Sequence, residues 1–436
     1  MNAPEPFTPQ EFSPLRIALL GYRSHPHVGG QGIYLKYLSK ALVDLGHQVD
    51  VLSGPPYPEL DPSVGLIKIP SLDLYASEQP LKELRWHHLT RFTDSYEYFS
   101  KLTGGFAEPY TFSLRVADYL SSRANHYDVI HDNQCLGYGL LHLQKMGLPV
   151  VATVHHPITR DLDIALSQQT RFGHKLLVRR WYRFLAMQTK VARKLDHLIS
   201  VSEFSRQDIS AAFGRPVDRI QVVANGIDTQ VFRPLPTIKK SPYRIITTAS
   251  SDQPLKGQKF LFQAIASLVD QHPDLELVII GSLKENGDSQ KLMEQLNLSQ
   301  RVTFKSNLST EALVEEYNRA TVAVTPSLYE GFGLPAAEAM ACGTAVVSSD
   351  GGALPEVVEE AGLIVPAGDA QALAEAINKV LINPCLSEQL GAFGRVHINK
   401  EFSWRKAAES YARYYLQMLN RRESPTCIPS TTSAFN

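Results

Sequence analysis

The chain has 436 residues, 44% of them hydrophobic and 20% charged, with a formal net charge of −1. That length predicts two or three domains with ample core, and the near-neutral balance gives no reason to expect a nucleic-acid partner. Cys135, Cys342, Cys385 and Cys427 lie far apart with no CxxC pair, which argues against a zinc site or a disulfide framework and fits a reducing compartment.

Residues 1–14 are proline-rich, without a basic start or an apolar run, and predict a flexible tail rather than a signal peptide. Leu15–Gly21 is a short apolar run closed by glycine, as a buried parallel strand is. The glycine-rich turn Ser24–Gly32 leads into a helix with Tyr34, Tyr37, Leu38, Ala41, Leu42 and Leu45 on one face. Gly46 stops it, and Gln48–Ser53 completes a βαβ unit. Residues 54–127 break this rhythm, with prolines early and aromatics such as Trp86, Phe92, Tyr96, Phe106 and Phe112 later. An insertion of this kind shapes a substrate site or forms a satellite core.

Strands resume at Asp128–His131, Val150–His155, His197–Ser202 and Ile220–Ala224. Between them Arg171–Lys194 predicts one amphipathic helix with eight Lys/Arg and no Asp/Glu, and Arg171, Lys175, Arg179 and Arg183 form a stripe along it. Its basic face suits an anionic membrane surface, an anionic acceptor, or plain solvation. Pro234–Pro242 has linker composition. A second alternating series follows, with strands at Tyr243–Ala249, Leu275–Gly281, Val302–Lys305, Thr321–Thr325, Thr344–Ser348 and Leu363–Val365. Two such series predict two Rossmann-like, doubly wound α/β domains, expected over 15–230 and 243–400, with a last helix over 403–419 and a disordered tail over 420–436.

The most informative stretch is Tyr329–Val357, YEGFGLPAAEAMACGTAVVSSDGGALPEV. Gly331 and Gly333 punctuate a turn that runs into a helix with Pro335 in its first turn, where a missing N–H costs nothing. Amides at such a helix start suit a phosphate. Glu330 and Glu338, about two helical turns apart, suit hydroxyls instead. A phosphate cradle between two hydroxyl acceptors suits a nucleotide sugar, with Glu338 on the ribose and Glu330 on the transferred sugar.

These residues, E-G-F-G-L-P-A-A-E followed by A-C-G-T-A-V-V-S-S-D-G-G-A-L-P-E-V, resemble the EX7E signature of family 4 glycosyltransferases. The resemblance implies the GT-B fold, two Rossmann-like domains facing across a cleft, and transfer from a UDP- or GDP-sugar with retention of anomeric configuration. It implies a donor site of Ser251, Lys256, Glu330, Gly331, Phe332, Gly333, Leu334 and Glu338, with Gly29, Gly30 and Gly32 of the first turn approaching the donor phosphate or the acceptor. Lys256 would neutralise the departing diphosphate. The family usually carries an arginine where this chain has Ser251, which removes one of two cations. Arg244 and Lys259 are the substitutes nearest in sequence. His155, preferred over adjacent His156, would contact the transferred sugar, so His155, Glu330 and Lys256 form the expected catalytic set. The Asn225–Asp228 turn (N-G-I-D) reads as hinge structure. Asp161-Leu162-Asp163 matches a metal-holding D-x-D but lies away from any strand end, and no metal or other cofactor is expected.

The expected protein is therefore a retaining hexosyltransferase acting on a hydroxyl of a lipid-linked, saccharide or small-molecule acceptor. It would be cytoplasmic, either free or peripheral on the inner face of a membrane through Arg171–Lys194. The alternatives are a GT-B epimerase or hydrolase of sugar nucleotides, a non-catalytic sugar-nucleotide-binding protein, and a membrane-surface scaffold.

Overall fold

The computed structural model describes residues 13–26, 30–75, 90–167, 169, 171–249 and 251–423. Its strands are β1 Arg16–Gly21, β2 Gln48–Ser53, β3 Gly65–Lys68, β4 Val129–Asn133, β5 Val150–Val154, β6 His197–Ser200, β7 Ile220–Val222, β8 Arg244–Thr248, β9 Glu276–Ile280, β10 Val302–Lys305, β11 Val322–Thr325, β12 Ala345–Ser349 and β13 Leu363–Val365. One sheet runs β3-β2-β1-β4-β5-β6-β7 and the other β10-β9-β8-β11-β12-β13. The recorded pairings are parallel, for example Leu19 opposite Val51 and Val324 opposite Val347. This is the pair of Rossmann-like sheets expected from the alternation of strand and helix patterns.

In each sheet the order reverses once, between β1 and β4 and between β8 and β11. Helices leave adjacent strands in opposite directions at such a point, which opens a crevice outside the carboxyl ends of the strands. The second sheet shows why its strands are apolar throughout. Ile245, Val322 and Ala345 pack to one side with Leu261, Phe262 and Ile377, while their neighbours Ile246, Ala323 and Val346 pack to the other with Ala336, Ala337 and Met340. A sheet covered on both faces needs side chains that tolerate burial at every position.

The described residues form two compact units, one within Met1–Lys101, Ala107–Val151 and Ala408–Asn436, the other within Leu102–Phe106 and Ala152–Ala407. In the first, the last helix, Trp404–Glu423, contributes two fully buried tyrosines. Tyr34 donates its hydroxyl to Tyr411 at 2.7 Å, and Tyr415 lies 2.6 Å from Nδ1 of His131 on β4. Burying three hydroxyls and an imidazole is tolerable because they bond to one another.

Three local features depart from the patterns in the sequence. The insertion adds a strand, β3, beside β2. Its GLIK segment is half exposed, so it lacks the continuous apolar signature of the inner strands. Arg171–Lys194 is two helices, Phe172–Trp181 and Phe184–Lys194. Bulky aromatics at Trp181, Tyr182 and Phe184 gather at the break, with Phe106 stacked on Trp181 at 5.1 Å, and aromatic residues are mediocre helix formers. Pro234–Pro242 lies along the second sheet's layer, Leu235 N–H donating to Asn318 Oδ1 at 2.7 Å and Ser241 N–H to the Arg319 carbonyl at 2.8 Å. Among the described residues no helix is long and apolar enough to cross a membrane.

A buried carboxylate ties this layer together. Glu316, 4% exposed, takes Arg244 at 2.6 Å, Lys305 at 2.9 Å and Arg319 at 3.1 Å. Burial alone would raise its carboxyl, but the bonds from Lys305 and Arg244 outweigh that and hold it below the ordinary range. Its contribution is therefore present above the unfolded carboxylate range and is lost as pH falls through the lowered value. Glu316→Ala leaves three cations around an empty place and should cost about 3–5 kcal/mol in urea unfolding, with a weaker acid dependence than the parent chain.

Candidate active site

The site is built at the crevice between β8 and β11. Gly257, at φ +65, lets the loop after β8 press against the loop after β11: a Cβ there would stand 1.9 Å from the Pro326 carbonyl oxygen. Leu328 N–H donates to the Leu255 carbonyl at 2.7 Å, closing the same contact. The two loops then bring Lys256 and Glu330 together, with Lys256 Nζ 2.7 Å from Glu330 Oε1. Ser327 Oγ donates to that same oxygen at 2.8 Å. Among the described residues Glu330 Oε2 has no partner, so one carboxylate oxygen is committed and the other is open to a hydroxyl.

The peptide planes of the next residues are fixed through their carbonyls. The Glu330 carbonyl accepts from Ala353 N–H at 2.9 Å, and the Gly331 carbonyl accepts from Ser202 and Ser205 hydroxyls, each at 2.9 Å. The Gly333 carbonyl takes Ala336 and Ala337 N–H at 3.1 and 3.2 Å as the helix Leu334–Ala341 begins. In a planar trans peptide the N–H points opposite to its carbonyl. Each fastening therefore turns the N–H of Gly331, Phe332 or Leu334 away from the partner. Among the described residues none of the N–H groups of Gly331 through Leu334 has a hydrogen-bond acceptor. Unspent amides at a helix start, with the dipole behind them, favour an anion.

The glycines are required by space. A Cβ on Gly331 would lie 2.7 Å from the His155 carbonyl oxygen, and Gly333 holds φ +101 as the residue before the helix. Gly352, at φ +72, is pressed against Glu330, where a Cβ would stand 2.2 Å from its carbonyl oxygen.

Glu338 lies on the same helix, half-buried, and accepts the Tyr317 hydroxyl at 3.0 Å; Tyr317 in turn lies 3.1 Å from Thr248 Oγ1 at the end of β8. Burial pushes the Glu338 carboxyl up to about 7, with the Tyr317 bond pulling the other way. His155 follows β5, and burial together with neighbouring His156 drives its imidazole down to about 3, so it is neutral at physiological pH. Next to it His156 engages Asp161 at 3.5 Å and the edge of Tyr329.

Other candidates fall elsewhere. Ser251 accepts Lys284 N–H on its hydroxyl at 2.7 Å and serves the loop after β9. Arg244 sits at the opposite end of β8 in the Glu316 cluster, so it cannot replace the missing cation. Lys259 is the second residue of the next helix, Gln258–Leu268, beside a depression lined by Asp252, Lys284 and Ser289. Asp161 and Asp163 are on the helix Thr159–Ser167. In the first unit Gly30 opens the helix Gly30–Asp44 with no atom of the described residues within 4 Å of where its Cβ would stand, and Gly32 lets the helix press on the His25 carbonyl, where a Cβ would stand 2.2 Å away. Gly29 lies outside the described residues. Sequence patterns missed Ser202, Ser205, Ser327, Tyr317 and Glu356, whose carboxylate caps the helix Glu203–Phe213 at the Glu203 and Phe204 amides. Only the serine before that helix carried a signal, as an N-cap.

The comparisons place the chain in a family. Family models match as Glycosyltransferase Family 4 over residues 28–231 and Glycosyl transferases group 1 over 236–397. An MMP alpha-(1->4)-mannosyltransferase from Mycolicibacterium hassiacum is 46% identical over 412 residues, covering 93% of this chain and 99% of the relative. The chain belongs to glycosyltransferase family 4. A D-inositol 3-phosphate glycosyltransferase from Streptomyces coelicolor is 25% identical over 94% of the chain and 93% of the relative. Sucrose-phosphate synthase from Thermosynechococcus elongatus superposes with a TM-score of 0.66 at 26% identity, over 93% of this chain and 100% of that one. Anabaena HepE in complex with UDP and glucose superposes at 0.64 with 17% identity, over 92% and 100%, which speaks to the fold alone. This family 4 member is thus a glycosyltransferase of GT-B fold.

For a family 4 site of this geometry the Glu338 proton becomes a test. Ribose hydroxyls would need the ionised carboxylate, so binding must displace the proton held below about pH 7. Affinity for a nucleoside-diphosphate hexose, whose diester phosphates do not titrate in this range, should fall as pH drops from about 8 to 6. Glu338→Gln should flatten that dependence and weaken binding at pH 8 by about tenfold. Calorimetric titration across the range reads both effects.

Proposed function

We propose that this glycosyltransferase moves a hexose, mannose first among the candidates, from a nucleoside-diphosphate sugar to an acceptor hydroxyl with retention. The observation that carries the proposal is the run of unspent amides from Gly331 to Leu334, bracketed by the Lys256–Glu330 pair and by Glu338. The amides and Lys256 would take the diphosphate, Glu338 the ribose, and the free Oε2 of Glu330 a hydroxyl of the sugar. As the bond to the leaving phosphate breaks, negative charge grows where these donors already point, and no reorganisation is required. Neutral His155 would offer the sugar a hydrogen bond without adding charge. Mannose and retention are supported by the relative named as an α-(1→4)-mannosyltransferase, because an α product from an α-linked donor keeps its configuration. The amides and the lysine would supply the charge compensation that a metal gives other transferases.

Thermal shift against UDP-, GDP- and ADP-linked glucose, mannose and N-acetylglucosamine should single out one donor. NMR of the product should show an α linkage; a β product would refute retention. Glu330→Gln should lower kcat by about a hundredfold or more with little loss of nucleotide affinity, whereas Lys256→Ala should weaken both.

A cytoplasmic protein peripheral on the inner leaflet, taking a lipid-linked acceptor, is a second proposal. It is favoured by Phe172–Trp181, a helix with no buried residue that exposes Phe172 at 73% and Leu177 at 57% among Arg171, Lys175, Arg179 and Arg180. Apolar side chains with flanking cations suit the interface of an anionic bilayer. Sedimentation with phosphatidylglycerol vesicles should carry the protein down at low salt, and Phe172→Ser with Leu177→Ser should release it; equal recovery with and without vesicles would dismiss the idea.

A further inference from the structure

A second polar cluster lies in the first unit, where the other sheet reverses between β1 and β4. Arg23 stands two residues beyond β1, and Glu108 opens the helix Glu108–Ser121. That helix is fastened to the turn after β4, Cys135 Sγ donating to the Pro109 carbonyl at 3.0 Å. Asp132 closes the same turn by accepting Leu136 N–H at 2.9 Å. Arg23 Nη1 reaches both oxygens of buried Glu108 at 3.2 Å, so this pair spans the two carboxyl ends that flank the reversal. Lys101 joins it, its ammonium 3.7 Å from the centre of the Tyr75 ring, with the Arg23 guanidinium 6.0 Å from the same ring.

The donors here are not used up. Among the described residues the Lys101 ammonium has no hydrogen-bond acceptor, and Arg23 spends only Nη1. Burial lowers the Lys101 ammonium while Glu108 raises it, as expected of a half-desolvated cation waiting beside a carboxylate. Charged donors placed in a crevice without partners favour a ligand rich in oxygen. The balance of charge selects which kind. Arg23, Lys101 and Arg115 are met by Asp73, Asp94, Glu97 and Glu108, with Arg115 bonded to Asp94 at 2.6 Å and to Glu97. Among these groups there is no positive excess for an anion, whereas a hydroxyl can accept from Lys101 or Arg23 and donate to Glu108.

We propose that Arg23, Lys101 and Glu108 form the acceptor subsite and that it takes a neutral saccharide through a vicinal pair of hydroxyls. This rests on the transfer reaction proposed above and narrows its acceptor class. Tyr75 is a positioning residue, holding the two cations by its ring.

Saturation-transfer NMR of methyl α-mannoside reads the subsite with no donor present. Signal from the wild-type protein should be lost in Lys101→Met and in Glu108→Gln, whose melting temperatures should match the parent. In steady-state assays both variants should raise acceptor KM about tenfold, leaving donor KM and acceptor-free donor hydrolysis within about twofold. Unchanged acceptor KM in both variants would overturn the subsite. So would a wild-type preference, in kcat/KM, for mannose 6-phosphate over methyl α-mannoside. A wild-type protein that binds methyl α-mannoside through these residues yet neither hydrolyses nor transfers any nucleotide hexose would leave the subsite standing and remove the donor proposal instead.

Discussion

The loop before the helix Leu334–Ala341 depends on where a few backbone carbonyls are tied. Glu330, Gly331 and Gly333 each surrender a carbonyl to a partner held elsewhere: Ala353, the Ser202 and Ser205 hydroxyls, and the first turn of the helix Leu334–Ala341. Planarity of the peptide then turns the opposite N–H groups outward. Amides turned outward in this way need no dedicated side chain to favour an anion, and the loop is rigid because every fastening is itself part of a packed element. Ser202 is also the N-cap of its own helix, accepting Ser205 N–H at 3.0 Å. Glu356 caps the same helix at 2.8 Å from the Glu203 amide, so one helix start anchors the loop from two directions.

Around that loop the fold places chemistry where parallel sheets ordinarily do. Both sheets reverse their winding once, and paired charges accompany each reversal: Lys256 and Glu330 on loops after β8 and β11, Arg23 after β1 with Glu108 at a helix start. The difference between the two lies in what is left unsatisfied. At β8 and β11 the spare capacity is backbone N–H, which suits phosphate. At β1 and β4 it is side-chain N–H balanced by carboxylates, which suits hydroxyls.

Much of this was legible in the chain itself. The strand positions followed from apolar runs, because strands covered on both faces cannot alternate. The spacing of Glu330 and Glu338 around a glycine turn pointed to family 4, and the family models agree on the family. What stayed hidden was of two kinds. β3 and the break at Tyr182 are weak local signals decided by tertiary contacts, the half-exposed GLIK strand and an aromatic cluster involving Phe106. The partners of the loop, Ser202, Ser205 and Tyr317, come from distant segments, and nothing in their immediate sequence says which carbonyl or carboxylate they will meet. Arg244 shows the converse error: proximity in sequence to Lys256 suggested a shared role, but a strand five residues long puts the two at opposite ends.

The bond between Lys256 and Glu330 has a consequence for selectivity. Each charge is the other's counter-ion. A phosphate alone would draw the lysine away and leave a carboxylate that is 12% exposed with only the Ser327 hydroxyl on that oxygen, whereas a sugar hydroxyl on Oε2 would leave the ion pair intact. A molecule bearing both groups at the right separation would offset that loss with a hydroxyl on the carboxylate the lysine leaves. Under the donor reading proposed above, the pair would therefore discriminate against phosphates that carry no sugar.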